Sequence, residues 1–257
     1  MPGDLLGTAL DWWARLNRAR RAWRYRRRYA RKNPQAPREV VPFSGPVVVV
    51  GSAPVSTRPE GFSDTFRVIA INGSQGAIKP WGVDAPDVTF MQFNQVEGTG
   101  ERAVAVRRVL TGERCGTLYV IRWPKDLARL KEGLAAFDYR YDRLETIDQY
   151  QRSRLAHDVL GRLIPEADNE SKFSNGLTAV FYALANGASA VIITGIDPGS
   201  AGHVYNDLKL ERLHSGTDAK ILAELVARGF PVFTADRHVA EKTGLPLWTG
   251  QSMARPA

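Results

Sequence analysis

One cysteine, Cys115, stands in 257 residues, which excludes an internal disulfide and a cysteine-based zinc site. Histidine is scarce too. The four present, at 157, 203, 214 and 238, form neither an H-E-x-x-H pair nor any other convergent ligand spacing. No Asp-x-Asp pair occurs, so the usual device for holding a divalent cation on a diphosphate is missing. No G-x-S-x-G elbow occurs, which argues against a serine hydrolase. Neither a Walker loop nor a G-x-G-x-x-G turn is present. No run of about 18 apolar residues could span a bilayer. The first residues lack a compact apolar core followed by a small-residue cleavage site, so a secretory leader is not expected. These absences lead us to expect a cytoplasmic protein that uses neither a metal nor a bound cofactor.

Acidic charge is short in one place only. Residues 1–39 carry 11 Lys and Arg against Asp4, Asp11 and Glu39, while the remaining 218 residues carry 24 of each sign. The net charge of +8 therefore belongs to the N-terminal stretch, and the high pI says nothing about the rest. Within residues 5–32, Leu5, Leu6, Leu10, Trp13, Leu16 and Trp23 fall roughly on one helical stripe, with arginines filling the other positions. Three readings of this helix stay open. It could lie on an anionic membrane surface, pack as a basic arm on its own domain or a partner, or contact nucleic-acid phosphates. We expect the first, with no nucleic-acid partner, which makes the protein peripheral at the inner membrane. Residues 33–45 hold three prolines and read as a linker.

From residue 40 onward the pattern alternates strand and helix. Apolar runs predict strands at 46–51, 66–71, 88–93, 117–122, 190–197 and 230–234, and helices at 101–110, 126–134, 174–187 and 218–228. The expected fold class is a doubly wound, mostly parallel α/β sheet forming one Rossmann-like domain over 40–257. Residues 138–170, rich in charge and aromatics, read as a lid-like insertion. Ligands of such sheets bind outside the carboxyl ends of the strands. Ser52, Asn72, Gln92 and Asp197 stand at those ends, and a polar loop over 199–218 follows the 190–197 strand. Each amide also has a plain turn reading, Asn72-Gly73 above all.

The order of these pieces resembles the bacterial sialyltransferases of glycosyltransferase family 42. The resemblance covers about residues 46–235. It rests on Lys172-Phe-Ser174-Asn175-Gly176 opening a helix, on Gly195-Ile-Asp197 ending an apolar strand, and on Tyr205 eight residues later. It rests also on His214-Ser-Gly-Thr-Asp218-Ala-Lys220 opening the next helix. The resemblance implies a CMP-activated acid sugar, such as sialic acid or 3-deoxy-octulosonic acid, as donor. It further implies inverting transfer to a surface glycan or glycolipid, without a metal. Carried over by position, His214 would be the general base on the acceptor hydroxyl, and Tyr205 would hydrogen-bond the departing phosphate. Ser174, Asn175 and Gly176 would present donors from a helix N-terminus, with Lys172 beside them. Asn72, Gln92 and Asp197 would hold the rest of the donor. Two positions depart from the family pattern. Ser52 stands where an asparagine is usual, and Gly199 where a second phosphate-binding tyrosine is usual, a loss that His203 could offset. The alternative from another class is a non-catalytic nucleotide-binding or scaffold protein of glycan assembly on the same fold.

Overall fold

Four consecutive valines explain the centre of the sheet. Side chains alternate across a strand, so Val47 and Val49 enter one apolar layer while Val48 and Val50 enter the other, all with no exposed surface. Burying each valine contributes about 1.5–3 kcal/mol, which ties the strand firmly to both layers. The computed structural model describes residues 3–123, 125–166, 168, 171–197 and 214–250.

The strands are β1 (Pro46–Val50), β2 (Arg67–Ile71), β3 (Val88–Gln92), β4 (Arg114–Ile121), β5 (Arg140–Ile147), β6 (Ala190–Thr194) and β7 (Val232–Thr234). They form one parallel sheet in the order β5-β4-β3-β2-β1-β6-β7. The helices are α1 (Gly3–Lys32), α2 (Phe93–Glu97), α3 (Glu101–Leu110), α4 (Leu127–Ala135), α5 (Gln149–Leu160), α6 (Asn175–Ala185), α7 (Ser215–Ala227) and α8 (Arg237–Thr243). A 3-10 helix over Asn72–Trp81 follows β2 directly. On one face, Leu155 of α5, Leu177 and Phe181 of α6 and Leu222 of α7 pack with Val47 and Val49. Towards the β4 side, Val106 and Leu110 of α3 and Leu130 and Leu134 of α4 pack with Met91, Leu118 and Val120. This is the doubly wound parallel fold expected.

Strand order reverses between β1 and β6, and the two strand ends stay in close contact there, with Gly51 N–H donating to the Thr194 carbonyl and Ala53 N–H to the Gly195 carbonyl, each at 2.8 Å. A Cβ on Gly51 would stand 2.3 Å from the Gly195 carbonyl oxygen. Gly195 itself has φ +62, a conformation that costs glycine little and other residues more.

The segment over 138–170 differs from the lid expected of it. Its first part is edge strand β5, paired with β4 from Arg114–Arg140 to Ile121–Ile147. Its second part is α5, whose Leu155, Ala156 and Leu160 lie in the main core. The proline-bearing stretch before β1 is also more than a linker. Phe43 N–H donates to the Asn186 carbonyl at 2.8 Å and Glu39 N–H to Asn186 Oδ1 at 2.8 Å. Arg38 reaches the Ala185 carbonyl and Asp158.

Helix α1 docks by one face. Ala22, Tyr25 and Tyr29 share that face; Tyr25 is buried, and its hydroxyl donates to the Gln149 carbonyl at 2.8 Å and meets Ser153 Oγ at 2.7 Å. At 100° per residue, Trp12, Trp13, Leu16 and Trp23 fall on the opposite side, and all four are exposed. No helix among the described residues is long and apolar enough to cross a membrane.

Candidate functional site

The carboxyl ends of β1, β2, β3, β4 and β6 open onto one cavity of about 340 Å³. Its position is the crevice where strand order reverses, the usual ligand position in open parallel sheets. Gly51 and Ser52 line it from β1, Asn72 from β2, Gln92 from β3, Arg122 from β4 and Ile196 from β6. The opening turn of α6 supplies Ser174, Asn175 and Gly176, and the start of α7 supplies His214, Ser215 and Asp218.

Local structure fixes several of these groups. Asn72 has φ +50, a left-handed conformation that asparagine tolerates. There its Oδ1 accepts the Gln92 N–H at 2.9 Å. The Asn72 Nδ2 has no protein partner among the described residues, so it can donate to a ligand in the cavity. Ser174 caps α6, its Oγ accepting from Leu177 N at 3.2 Å. The backbone N–H groups of this first turn and the helix dipole together favour an anion at that end. Gly176 allows the helix to sit close to β6, because a Cβ there would meet Ile196 Cδ1 at 3.1 Å.

Behind the α6 N-terminus lies a buried arginine. Arg152, 2% exposed, donates from Nε to Thr178 Oγ1 at 2.9 Å and from Nη2 to the Phe173 carbonyl at 2.7 Å. Its Nη1 lies 3.1 Å from Glu166 Oε1, and Arg122 Nη2 donates to Glu166 Oε2 at 3.2 Å. One fully buried carboxylate thus serves two guanidinium groups that both line the cavity. Desolvation lowers the Arg152 pKa and Glu166 opposes that shift.

The structure gathers Ser52, Asn72, Gln92, Lys172, Ser174, Asn175, Gly176 and His214 around this one cavity. Asp197 is placed otherwise. It is not among the lining residues, and its carboxylate lies 3.5 Å from His238 Nε2 and 3.9 Å from Lys242 Nζ on α8. Tyr205, His203 and Gly199 lie outside the described residues. Asn94, Ser215 and Asp218 line the cavity too, as do Gln95, Arg102, Arg122 and Arg152, which the sequence did not single out. The rule that named Asn72 and Gln92, polar residues closing a buried strand, names Arg122 when carried to the fourth strand. Among the described residues, no group of three or more His, Cys, Asp or Glu is placed to hold a metal ion.

No protein-family model and no curated protein matches the chain. Solved structures do. The monofunctional α-2,3-sialyltransferase Cst-I of Campylobacter jejuni superposes with a TM-score of 0.52 at 13% identity, over 87% of each chain. The sialyltransferase CstII of the same organism, solved with cytidine-5'-monophosphate, superposes with a TM-score of 0.50 at 14% identity. It covers 82% of this chain and 87% of its own. The chain folds like these sialyltransferases. At this identity the likeness is one of fold, so the chemistry rests on the site.

Proposed function

We propose that the chain is an inverting glycosyltransferase that moves an acid sugar from a CMP-activated donor to a glycan or glycolipid acceptor. The observation that carries the reading is the strand-end cavity itself. It brings His214, the α6 N-terminus with Lys172, and the amides of Asn72 and Gln92 together at the point where strand order reverses. The fold likeness to two sialyltransferases and the His214-to-Lys220 sequence pattern support the same donor class.

In this mechanism His214 takes the proton from an acceptor hydroxyl, since an imidazole titrates near working pH. The acceptor oxygen then forms its bond to the anomeric carbon as the bond from that carbon to the phosphate oxygen breaks. The electron pair leaves on CMP, and direct attack inverts the anomeric centre. Tyr205, with His203, donates to the departing phosphate. Ser174, Asn175, Gly176 and Lys172 meet the donor's anionic groups, while Ser52, Asn72 and Gln92 hold its sugar and base. No metal takes part, because the cationic side chains and helix N-terminus do what a divalent ion does elsewhere. The acceptor sits at a membrane that α1 touches through its outward Trp12, Trp13, Leu16 and Trp23. Arg24, Arg27 and Arg31 flank Trp23, with Arg27 stacked 5.6 Å from its ring.

The test is calorimetric titration of the full chain with CMP, UDP and GDP, with and without EDTA. Selective binding of CMP that survives EDTA is expected. Equal binding of the three nucleotides, or a requirement for metal, would overturn the donor assignment. CMP binding without transfer from any CMP-sugar would instead favour the non-catalytic alternative.

A further inference from the structure

Cations in the cavity are not evenly placed. The α6 N-terminus stands beside Ile196, just past β6, with Lys172 also on the cavity wall; there the proposed donor brings a phosphodiester and a carboxylate. Arg122 closes β4, which is three strands away from β1 in the sheet. With neighbouring strands about 4.8 Å apart, the Arg122 backbone is roughly 14 Å from Ser52 along the sheet edge, while its guanidinium reaches Glu166, which Arg152 holds behind the α6 N-terminus. Arg102, in the first turn of α3, lines the same cavity.

Neither arginine has a carboxylate to itself. The side chain of Arg102 has no hydrogen bond or ion pair among the described residues. Arg122 shares the Glu166 carboxylate with buried Arg152, and the other buried carboxylate on the cavity wall, Asp218, accepts the Ser174 N–H. Glu97, near the same wall, is occupied by Arg129. Arg122 also has φ +59, an uncommon conformation for arginine that costs of order 1 kcal/mol or more. Glu166 holds one edge of its guanidinium, and its side chain stays 35% exposed. A guanidinium anchored on one edge and open on the other presents paired donors in the geometry that a carboxylate or phosphate matches.

We propose that Arg102 and Arg122 form an anion-reading subsite for the acceptor, so that the preferred acceptor sugar carries a phosphate or carboxylate. This inference rests on the transferase reading for the word acceptor, but the subsite is a property of the cavity alone. A neutral sugar would offer neither arginine an anionic partner. A charged one satisfies both and sets its hydroxyl towards His214.

The experiment is a ligand-observed NMR titration of the full chain with galactose, galactose 6-phosphate and glucuronic acid, each with and without saturating CMP. It is repeated on Arg102→Gln and Arg122→Gln, and all proteins are also titrated with CMP alone. The charged sugars should bind the parent at least about tenfold more tightly than galactose, and each variant should lose about tenfold of that preference. Preference for only one of the two charged sugars identifies which anion is read. CMP affinity in the variants should stay within about twofold. Equal binding of charged and neutral sugars would overturn the subsite, as would variants that lose CMP affinity and sugar preference together. A parent that prefers charged sugars but ignores CMP would sink the nucleotide reading and leave the anion subsite standing.

Discussion

Ser174 N–H donates to Asp218 Oδ1 at 2.9 Å, tying the cap of α6 to the first turn of α7. The residue that opens α7 is His214, whose carbonyl accepts from Asp218 N–H at 2.9 Å. Asp218 is buried, 6% exposed, and holds the anion-binding helix end and the histidine in one frame. Asp218→Ala should therefore lower stability by about 1–3 kcal/mol, the cost of a buried group left unsatisfied. It should also weaken CMP binding. Denaturant titration and calorimetry read the two effects. Full stability with normal CMP affinity would mean that α6 and α7 are positioned by other contacts.

His214→Ala should leave CMP binding intact and lower turnover by roughly two to four orders of magnitude, the usual worth of a general base. Transfer kinetics with a CMP-sugar decide it. Turnover that survives the substitution takes His214 out of the proton transfer.

On α1, replacing Trp12, Trp13 and Trp23 together by Ser should release the protein from anionic vesicles without lowering its stability. None of the three contributes to the docking face around Tyr25. Vesicle co-sedimentation and thermal unfolding measure the two halves of the statement. Retained vesicle binding would assign the outward face to something other than lipid.

Burial pushes the Cys115 thiol from 9.0 up to about 11, with hydrogen bonds from Tyr139 and Thr89 opposing the shift. The unfolded chain therefore ionises this thiol at lower pH than the folded one. The stabilisation is complete below pH 9 and is lost as pH rises through about 11. Two pH units correspond to about 2.7 kcal/mol. Tyr139 and Tyr119, also raised by burial, add losses above pH 10. Urea unfolding at pH 8 and pH 11 should show the parent losing about 2–3 kcal/mol more than Cys115→Ala between the two. Equal losses would show that folding leaves the ionisation of the thiol unchanged.

What could be read from the chain follows from how each element is buried. β1 and β6 are covered on both faces, so Val47–Val50 and Ala190–Thr194 stand out as unbroken apolar runs. Edge strand β5 is half exposed, and four of its eight residues are charged, which gives the composition of a solvated segment. The amides of Asn72 and Gln92 were legible because each closes a clear strand. Arg152 was not, because arginine is ordinarily a surface residue. Nothing in QYQRSRLAHDVL separates buried Arg152 from Arg154, which pairs with Asp158 one turn on. Glu166 was hidden for the same reason, since its role depends on two arginines distant in sequence. Asp197 was expected to end its strand but lies three residues beyond β6, and α8, which the sequence did not reveal, supplies His238 and Lys242 to its carboxylate.

Because α1 grips the body through Ala22, Tyr25 and Tyr29 and bares its tryptophans on the far side, its two faces are locked in helical phase. Each residue advances an α-helix by 100°. One residue inserted between Leu16 and Ala22 would swing Trp12, Trp13 and Leu16 through that angle while Trp23 and Tyr25 stayed put. Composition and charge would be untouched, yet the outward stripe would be broken into two directions. The spacing of this helix, as much as its content, decides whether the stripe presents one continuous face.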